Sequence, residues 1–429
     1  MYRKILLIVL VLATITFPMA VLAEEQNGTT TLSLEQCLQM AYANSQLLKT
    51  ESQNVAIAKE GVKEAEAGFL PTVDYQASYT RLDEAAPPQV PSENVFKGGI
   101  SVTKPLYTGG KLTYALDIAK TKLNNAVEKE RQVKQSLTYQ VKEAYYNVWL
   151  TEEMVIVAKA SYDNMGRHTE QMEKLFKVGT ASKFEVLRAQ VQQEGIKPQI
   201  IAAENGLSLA KLGLATLIGF DREKQFSVNY DIQSLKLPDH YDTVLTKLLN
   251  EAYENRSELL QLQLAAKMKN LSTTIVALGN KPNVGLTLSY DGQGDEINPG
   301  SWNKTLSLTL GVKGNIFDGT LKPKVESSKG EEELLKIQES SLKDKIRLEV
   351  QEALLNITKA LETIKANQAN INLSKESLRM TQARFDAGMA TTMEIMDAQL
   401  ALDKASNGYY EGISDYLTAL AKLDLVVGK

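Results

Sequence analysis

The chain repeats itself. Ala41-Tyr-Ala-Asn44 returns as Ala252-Tyr-Glu-Asn255, and Pro71-Thr-Val73 returns as Pro282-Asn-Val284, both 211 residues on. Leu106-Tyr-Thr-Gly109 matches Ile316-Phe-Asp-Gly319 at 210. Phe176-Lys-Val-Gly179, followed by Glu185 and Ala189-Gln190, matches Phe385-Asp-Ala-Gly388, Glu394 and Ala398-Gln399 at 209. Gly219 and Gly428 close the two stretches, again at 209. An offset that drifts by two residues over so long a span marks one unit written twice. Repeat 1 is therefore expected over residues 24–219, a connector over 220–241, and repeat 2 over 242–429.

Within each unit the hydrophobic period changes. Residues 34–68 read as helix, opened by Ser33 with Gln36 as a capping box. From Thr72 the pattern alternates, with Val73, Tyr75, Ala77 and Tyr79 on one face and Asp74, Gln76 and Ser78 on the other. A loop over Asp83 to Asn94 leads to a partner strand carrying Ile100 and Val102, giving a β-hairpin over 72–107. The second unit repeats it over 283–317, with Val284, Leu286, Leu288 and Tyr290 facing Leu306, Leu308, Leu310 and Val312.

Long helices follow, over 111–176 and 324–385. The first spans 66 positions, about 100 Å at 1.5 Å per residue. Apolar residues step by three and four, slip in phase before Val141, and recur as Ile346, Val350, Ala353, Ile357, Ala360 and Ile364. This is coiled-coil packing with a stutter. Each rod turns at Gly179 or Gly388, and capping boxes at Ser182 and Thr391, completed by Glu185 and Glu394, restart return helices over 183–218 and 392–427. The first return helix is expected to kink or break near Gly195 and Pro198.

The remaining composition removes whole classes of function. Arg3 and Lys4 ahead of an apolar run, with Val21-Leu-Ala23 behind it, read as a secretory signal over 1–23. Without the two signal cations the charge is 46 − 52, or −6, which offers no basic stripe for nucleic acid. Cys37 is alone and His168 and His240 lie far apart, so no metal site and no cofactor is expected. No histidine is placed to activate Ser33, Ser182 or Thr391, no nucleotide motif occurs, and no catalytic chemistry is read. Tyr145, Tyr146 and Trp149 read as helix packing, and Cys37 as a small apolar filler. Beyond residue 23 no run of about 18 apolar residues suggests a spanning helix. Four strands from one chain cannot close in lipid, because their outer edges keep unpaired backbone groups. Three chains give twelve strands and twelve helical rods.

The doubled Phe-x-x-Gly tips with a capping Ser or Thr, an acid and Ala-Gln, together with Phe69-Leu-Pro71 and Leu217-Ile-Gly219, resemble the TolC-like outer membrane efflux proteins. The resemblance implies a mostly helical homotrimer, a 12-stranded β-barrel in the outer membrane continued by a 12-helix α-barrel across the periplasm, with the connector as its equatorial region. It implies a passive exit duct for tripartite efflux or type I secretion. Its partners would be a periplasmic membrane-fusion adaptor, an inner-membrane pump of ABC, RND or MFS type, and outer membrane lipid around Val73, Tyr75, Tyr79, Ile100, Val102, Val284, Leu286, Leu288, Leu306, Leu308 and Leu310. Gly179, Thr180, Ala181 and Ser182, with Gly388, Met389, Ala390 and Thr391, would form the docking entrance. Glu394 and Asp397, with Glu185, would be the pore acids. Two roles compete for Glu394, since it also completes a cap. Glu185 has Arg188 at i+3 and is expected to pair with it. The family's entrance latch, a Tyr and an Arg, falls on Phe385 and Ala390, so that latch is absent. The rival reading is a secreted or periplasmic coiled-coil structural or adaptor protein without a channel. It gives no reason for four strands with one apolar face.

Overall fold

The computed structural model describes residues 30–83, 93–221, 224–230, 237–238 and 244–429. The proposed signal, the loop at 84–92 and half of the connector lie outside the described residues. The first half holds β1 (Thr30–Leu32), α1 (Leu34–Asn44), α2 (Gln46–Ala67), β2 (Thr72–Arg81), β3 (Asn94–Tyr107), α3 (Lys111–Lys177) and α4 (Lys183–Ile218). The second holds β4 (Phe226–Val228), α5 (Leu245–Asn255), α6 (Ser257–Ala277), β5 (Asn283–Gly294), β6 (Asn303–Lys313), α7 (Leu321–Asp386) and α8 (Thr392–Val427). Most of the chain is helix. α3 and α7 have 67 and 66 residues, and α4 and α8 have 36 each.

The helix expected over 34–68 is two helices. Ser45 sits outside helical geometry at φ −59° and ψ 117°, ends α1, and caps α2 by accepting from the Leu48 N–H. Arg256 breaks α5 from α6 with nearly the same angles. These breaks receive the ends of the return helices. Gly219 closes α4 at φ +66° beside the Asn44 side chain, whose Nδ2 donates to Ile218 O at 2.9 Å. Gly428 closes α8 at φ +86° against the Asn255 backbone, where a Cβ has no room. At both sites the left-handed turn and the close approach require glycine.

α4 runs continuously through Pro198, so the break expected there does not occur. The sequence suggested no spanning run beyond residue 23, yet α4 is long and apolar enough to cross a membrane by length and composition.

The principal core lies where the ends of the return helices meet the middle of the rods. Val141, Val148, Leu214, Ile218, Leu259, Ile346, Val350, Ile357 and Ile413 are fully buried there. The α7 stripe from Ile346 to Ile364 is buried at every expected position. Each fully buried Ile or Val contributes about 1.5–3 kcal/mol. Cys37 is fully buried in this core, which pushes its thiol up to about 11. Tyr145 is equally enclosed and donates to Asn229 O at 2.7 Å, beside the parallel pair β1–β4.

Arg256 is a buried charge. It reaches Glu258 at 2.8 Å, Glu349 at 2.6 Å and Val426 O at 3.2 Å, tying the break to α7 and α8. Burial alone raises the Glu258 carboxyl, but the Arg256 hydrogen bond and charge carry it below its ordinary range.

Candidate functional site

Two regions have side chains without a function inside the single chain. The first is the sheet. Its strands run β2–β3–β5–β6, all antiparallel. Directly opposed residues share a face, so the pairing sorts the side chains. Val73, Val102, Leu288 and Leu308 form one row, and Tyr75, Ile100, Tyr290 and Leu306 the next. Leu286 and Leu310 continue that face beside Lys104, and Val284 meets Val312 beyond a bulge at Pro105 to Tyr107. Tyr79 and Phe96 end it, with ring centroids 4.8 Å apart. Trp302 lies across the same end, 2.9 Å from where a Cβ of Gly98 would stand and 3.1 Å from one of Gly292. Its indole N–H donates to Glu296 O.

The opposite face is polar. Thr72, Thr103, Thr287 and Thr309 align, followed by Asp74, Ser101, Ser289 and Ser307. Hydroxyls meet across strands at 3.2 Å (Thr103 and Thr287) and 2.8 Å (Ser289 and Ser307). On the apolar face Tyr75 is 88% exposed and Val73 and Leu306 are 69% exposed, so nothing among the described residues covers them. From Val312 to Trp302 is ten residues, roughly 34 Å along a strand and about 26 Å in height at a 40° tilt. That is the height of an outer-membrane apolar band, with an aromatic girdle at its loop end. The outer edges of β2 and β6 are unpaired among the described residues.

The second region is the pair of tips. Gly179 and Gly388 have φ +82° and +70°, with open space where a Cβ would stand. Ser182 accepts from the Glu185 N–H, and Glu185 Oε2 accepts from Ser182 N at 2.9 Å. Thr391 and Glu394 repeat this geometry, with Thr391 N donating at 3.2 Å. The tips adjoin: Gly179 to Ser182, Glu185, Arg188, Thr391 and Thr392 line one open cavity of about 690 Å³.

The acids differ from their sequence reading. Glu185 does not pair with Arg188, whose guanidinium turns to the Met393 sulfur at 3.4 Å, because the cap already holds the carboxylate. Glu394 carries a second partner that the sequence did not suggest: Arg384 reaches it at 3.0 Å and also donates to Met389 O at 3.0 Å, clasping the second tip. Asp397 is exposed and has no hydrogen bond or ion pair among the described residues. It is the unengaged acid of the three. Phe385 is packed rather than latched, against His168 at 4.9 Å between ring centroids.

A one-sided sheet continuous with long paired rods has known counterparts. The family model for outer membrane efflux proteins matches residues 37–220 and 248–429. The chain belongs to the outer membrane efflux protein family. The outer membrane protein TolC of Vibrio cholerae serotype O1 is 23% identical over 404 residues, covering 89% of this chain and 87% of that protein. Among solved structures, the CusC channel superposes with a TM-score of 0.80 at 16% identity, covering 93% of both chains. The open state of the Neisseria gonorrhoeae MtrE outer membrane channel gives 0.75 at 19%, covering 92% of this chain and 88% of that one. Membership places this efflux protein in the outer membrane, as a channel of β-barrel and helical tunnel reaching into the periplasm.

Proposed function

We propose that three copies of this chain close a twelve-stranded barrel in the outer membrane, and that their rods continue it as a twelve-helix tunnel. The carrying observation is the sheet: one exposed apolar face, one hydrogen-bonded polar face, and two unpaired edges. Edges 10 and 11 residues long are untenable in hydrocarbon and hazardous in water. Pairing the β2 edge with β6 of a neighbour removes both. Val73, Tyr75, Tyr79, Ile100, Val102, Val284, Leu286, Leu288, Leu306, Leu308 and Leu310 then face lipid, and the Thr and Ser rows line the water-filled lumen. The two halves act as equivalent staves, each from a duplicated unit spanning 24–219 and 242–429.

The protein is then a passive exit duct. The tips at Gly179 to Ser182 and Gly388 to Thr391 form the entrance that receives a periplasmic adaptor and, through it, an inner-membrane pump serving efflux or type I secretion. Exposed Val178, Phe184 and Met389 provide apolar surface for that contact. At the entrance Asp397 supplies the free carboxylate of each copy, while Glu394 is partly neutralised by Arg384. A ring of carboxylates in a narrow pore favours cations.

The test is extraction of the full chain in detergent, with mass measurement and planar-bilayer recording. A trimer that conducts supports the reading. A water-soluble monomer without conductance sinks it and favours the structural or adaptor alternative.

A further inference from the structure

His168 stands on α3 close to the tips. It is 3% exposed, and neither ring nitrogen has a hydrogen-bond partner. A buried imidazole normally finds at least one, since leaving such a group unpaired costs about 1–3 kcal/mol. Here its ring meets Phe385 edge-on, at 69° between planes. Phe385 is the second-last residue of α7 and packs against both small apolar clusters near the tips, one built on Met165, Ile196 and Ile395, the other on Met172, Val186 and Ala189. This ring pair therefore joins the first hairpin to the second tip.

The neighbouring residue offers the imidazole an alternative. Asp386 accepts from Gln171 Nε2 at 2.8 Å and from Gln382 Nε2 at 3.0 Å. Both the histidine and Asp386 line an open cavity of about 600 Å³. The charged groups lining it come from α3 and α7. α3 presents Arg167; α7 presents Lys375, Arg379 and Asp386; α8 contributes Gln399, hydrogen-bonded to Asp403 at 2.7 Å; α4 contributes no lining residue. Arg379 is paired with Glu376. Burial makes a positive ring costly where it now sits, and Asp386 is the carboxylate lining the cavity with it.

We propose that His168 is a proton-operated latch: neutral, it holds α3 to Phe385 at the second tip, and protonated it leaves Phe385 for Asp386 and frees the tip. The inference rests on the reading of the tips as the entrance of a duct, and it supplies a closing device where the family's Tyr and Arg are replaced by Phe385 and Ala390. Burial lowers the imidazole's proton affinity, and Asp386 partly restores it. The sign follows. The contact is fully present above the ordinary histidine value, about 6.5, and is lost as the pH falls through the lowered one. The entrance opens in acid.

The experiment uses the full chain with spin labels at V178C and M389C, both exposed positions, since native Cys37 is buried. Label separation is read in detergent and current in a planar bilayer, each at neutral and at acidic pH. The expected result is a longer separation in acid with a rise in open-channel current of about threefold or more, the size of a modest population shift. Both responses vanish in His168→Phe, which keeps the ring contact and cannot titrate. Should that variant fold poorly, His168→Gln serves, with the separation fixed at the wide value at both pH values. Acid responses that persist in His168→Phe overturn the latch, as does a native protein that conducts but ignores pH. Labels that respond in a protein passing no current support the latch and instead sink the duct.

Discussion

At the scale of single residues, the three tip acids carry three different burdens. Glu185 is spent on a cap, Glu394 is shared between a cap and Arg384, and Asp397 has no partner among the described residues. Asp397→Asn is therefore expected to weaken cation selectivity in bilayer recordings more than Glu185→Gln. Equal selectivity in the native protein and in a double replacement of Glu394 and Asp397 would reduce both acids to caps. Arg384→Gln should act oppositely to Asp397→Asn, strengthening cation selectivity by releasing Glu394 while loosening the second tip. Gly388 has open space around it but a left-handed backbone. A Cβ there meets nothing within 4 Å, so the cost of a valine is chiefly backbone strain of roughly 1–2 kcal/mol. Crosslinking to the adaptor should fall, while the melting temperature of the assembly barely moves. Normal crosslinking would place docking elsewhere.

At the scale of elements, the Arg256 break joins three helices through one guanidinium. Removing one partner of a buried charge network costs about 3–5 kcal/mol because the others remain buried and unpaired. Arg256→Ala should lower thermal stability by that order, whereas Lys63→Ala, in a solvent-exposed pair with Glu60, should change almost nothing. Denaturation of the two variants side by side checks this. Arg256 also shows what sequence reading could see. The Ala-Tyr-x-Asn motif stood out as a repeat, yet that Asn44 and Asn255 mark helix breaks docking Gly219 and Gly428 emerges only when distant segments meet. Long strongly periodic elements were legible: the rods, the glycine turns and the caps agree with their residues because local spacing alone produces them. β1 and β4 were not, since three residues carry no period and their pairing joins segments about 196 positions apart. The tail of β5, Asp291-Gly-Gln-Gly294, reads as loop by composition and becomes strand beneath Trp302. Arg384 escaped notice because its partner lies across the turn, ten residues away.

At the scale of the whole molecule, the two faces of the sheet predict opposite tolerance. Leu308→Arg puts a charge among the exposed leucines of the apolar face, at a cost of about 2–4 kcal/mol near the bilayer midplane. It should deplete the protein from outer membrane fractions. Thr309→Lys, one residue along and on the polar face, should leave membrane yield unchanged and alter conductance. Equal loss from both would contradict the assignment of faces.

The pairing of β3 with β5 also governs the order of events in assembly. Phe96 faces Gly294, 198 residues later, whereas β2 and β3 meet across 31 residues, as Thr72 with Thr103. Closing the longer loop costs roughly 1.6 kcal/mol more chain entropy. It also requires β5, which is synthesised late. The sheet cannot be complete until most of the polypeptide has left the ribosome and crossed the inner membrane, while the first rod, α3, and its return helix α4 can coil as they emerge. Newborn chains therefore spend an interval with helices formed and β-edges bare, in the compartment where they are most open to capture by chaperones or by one another.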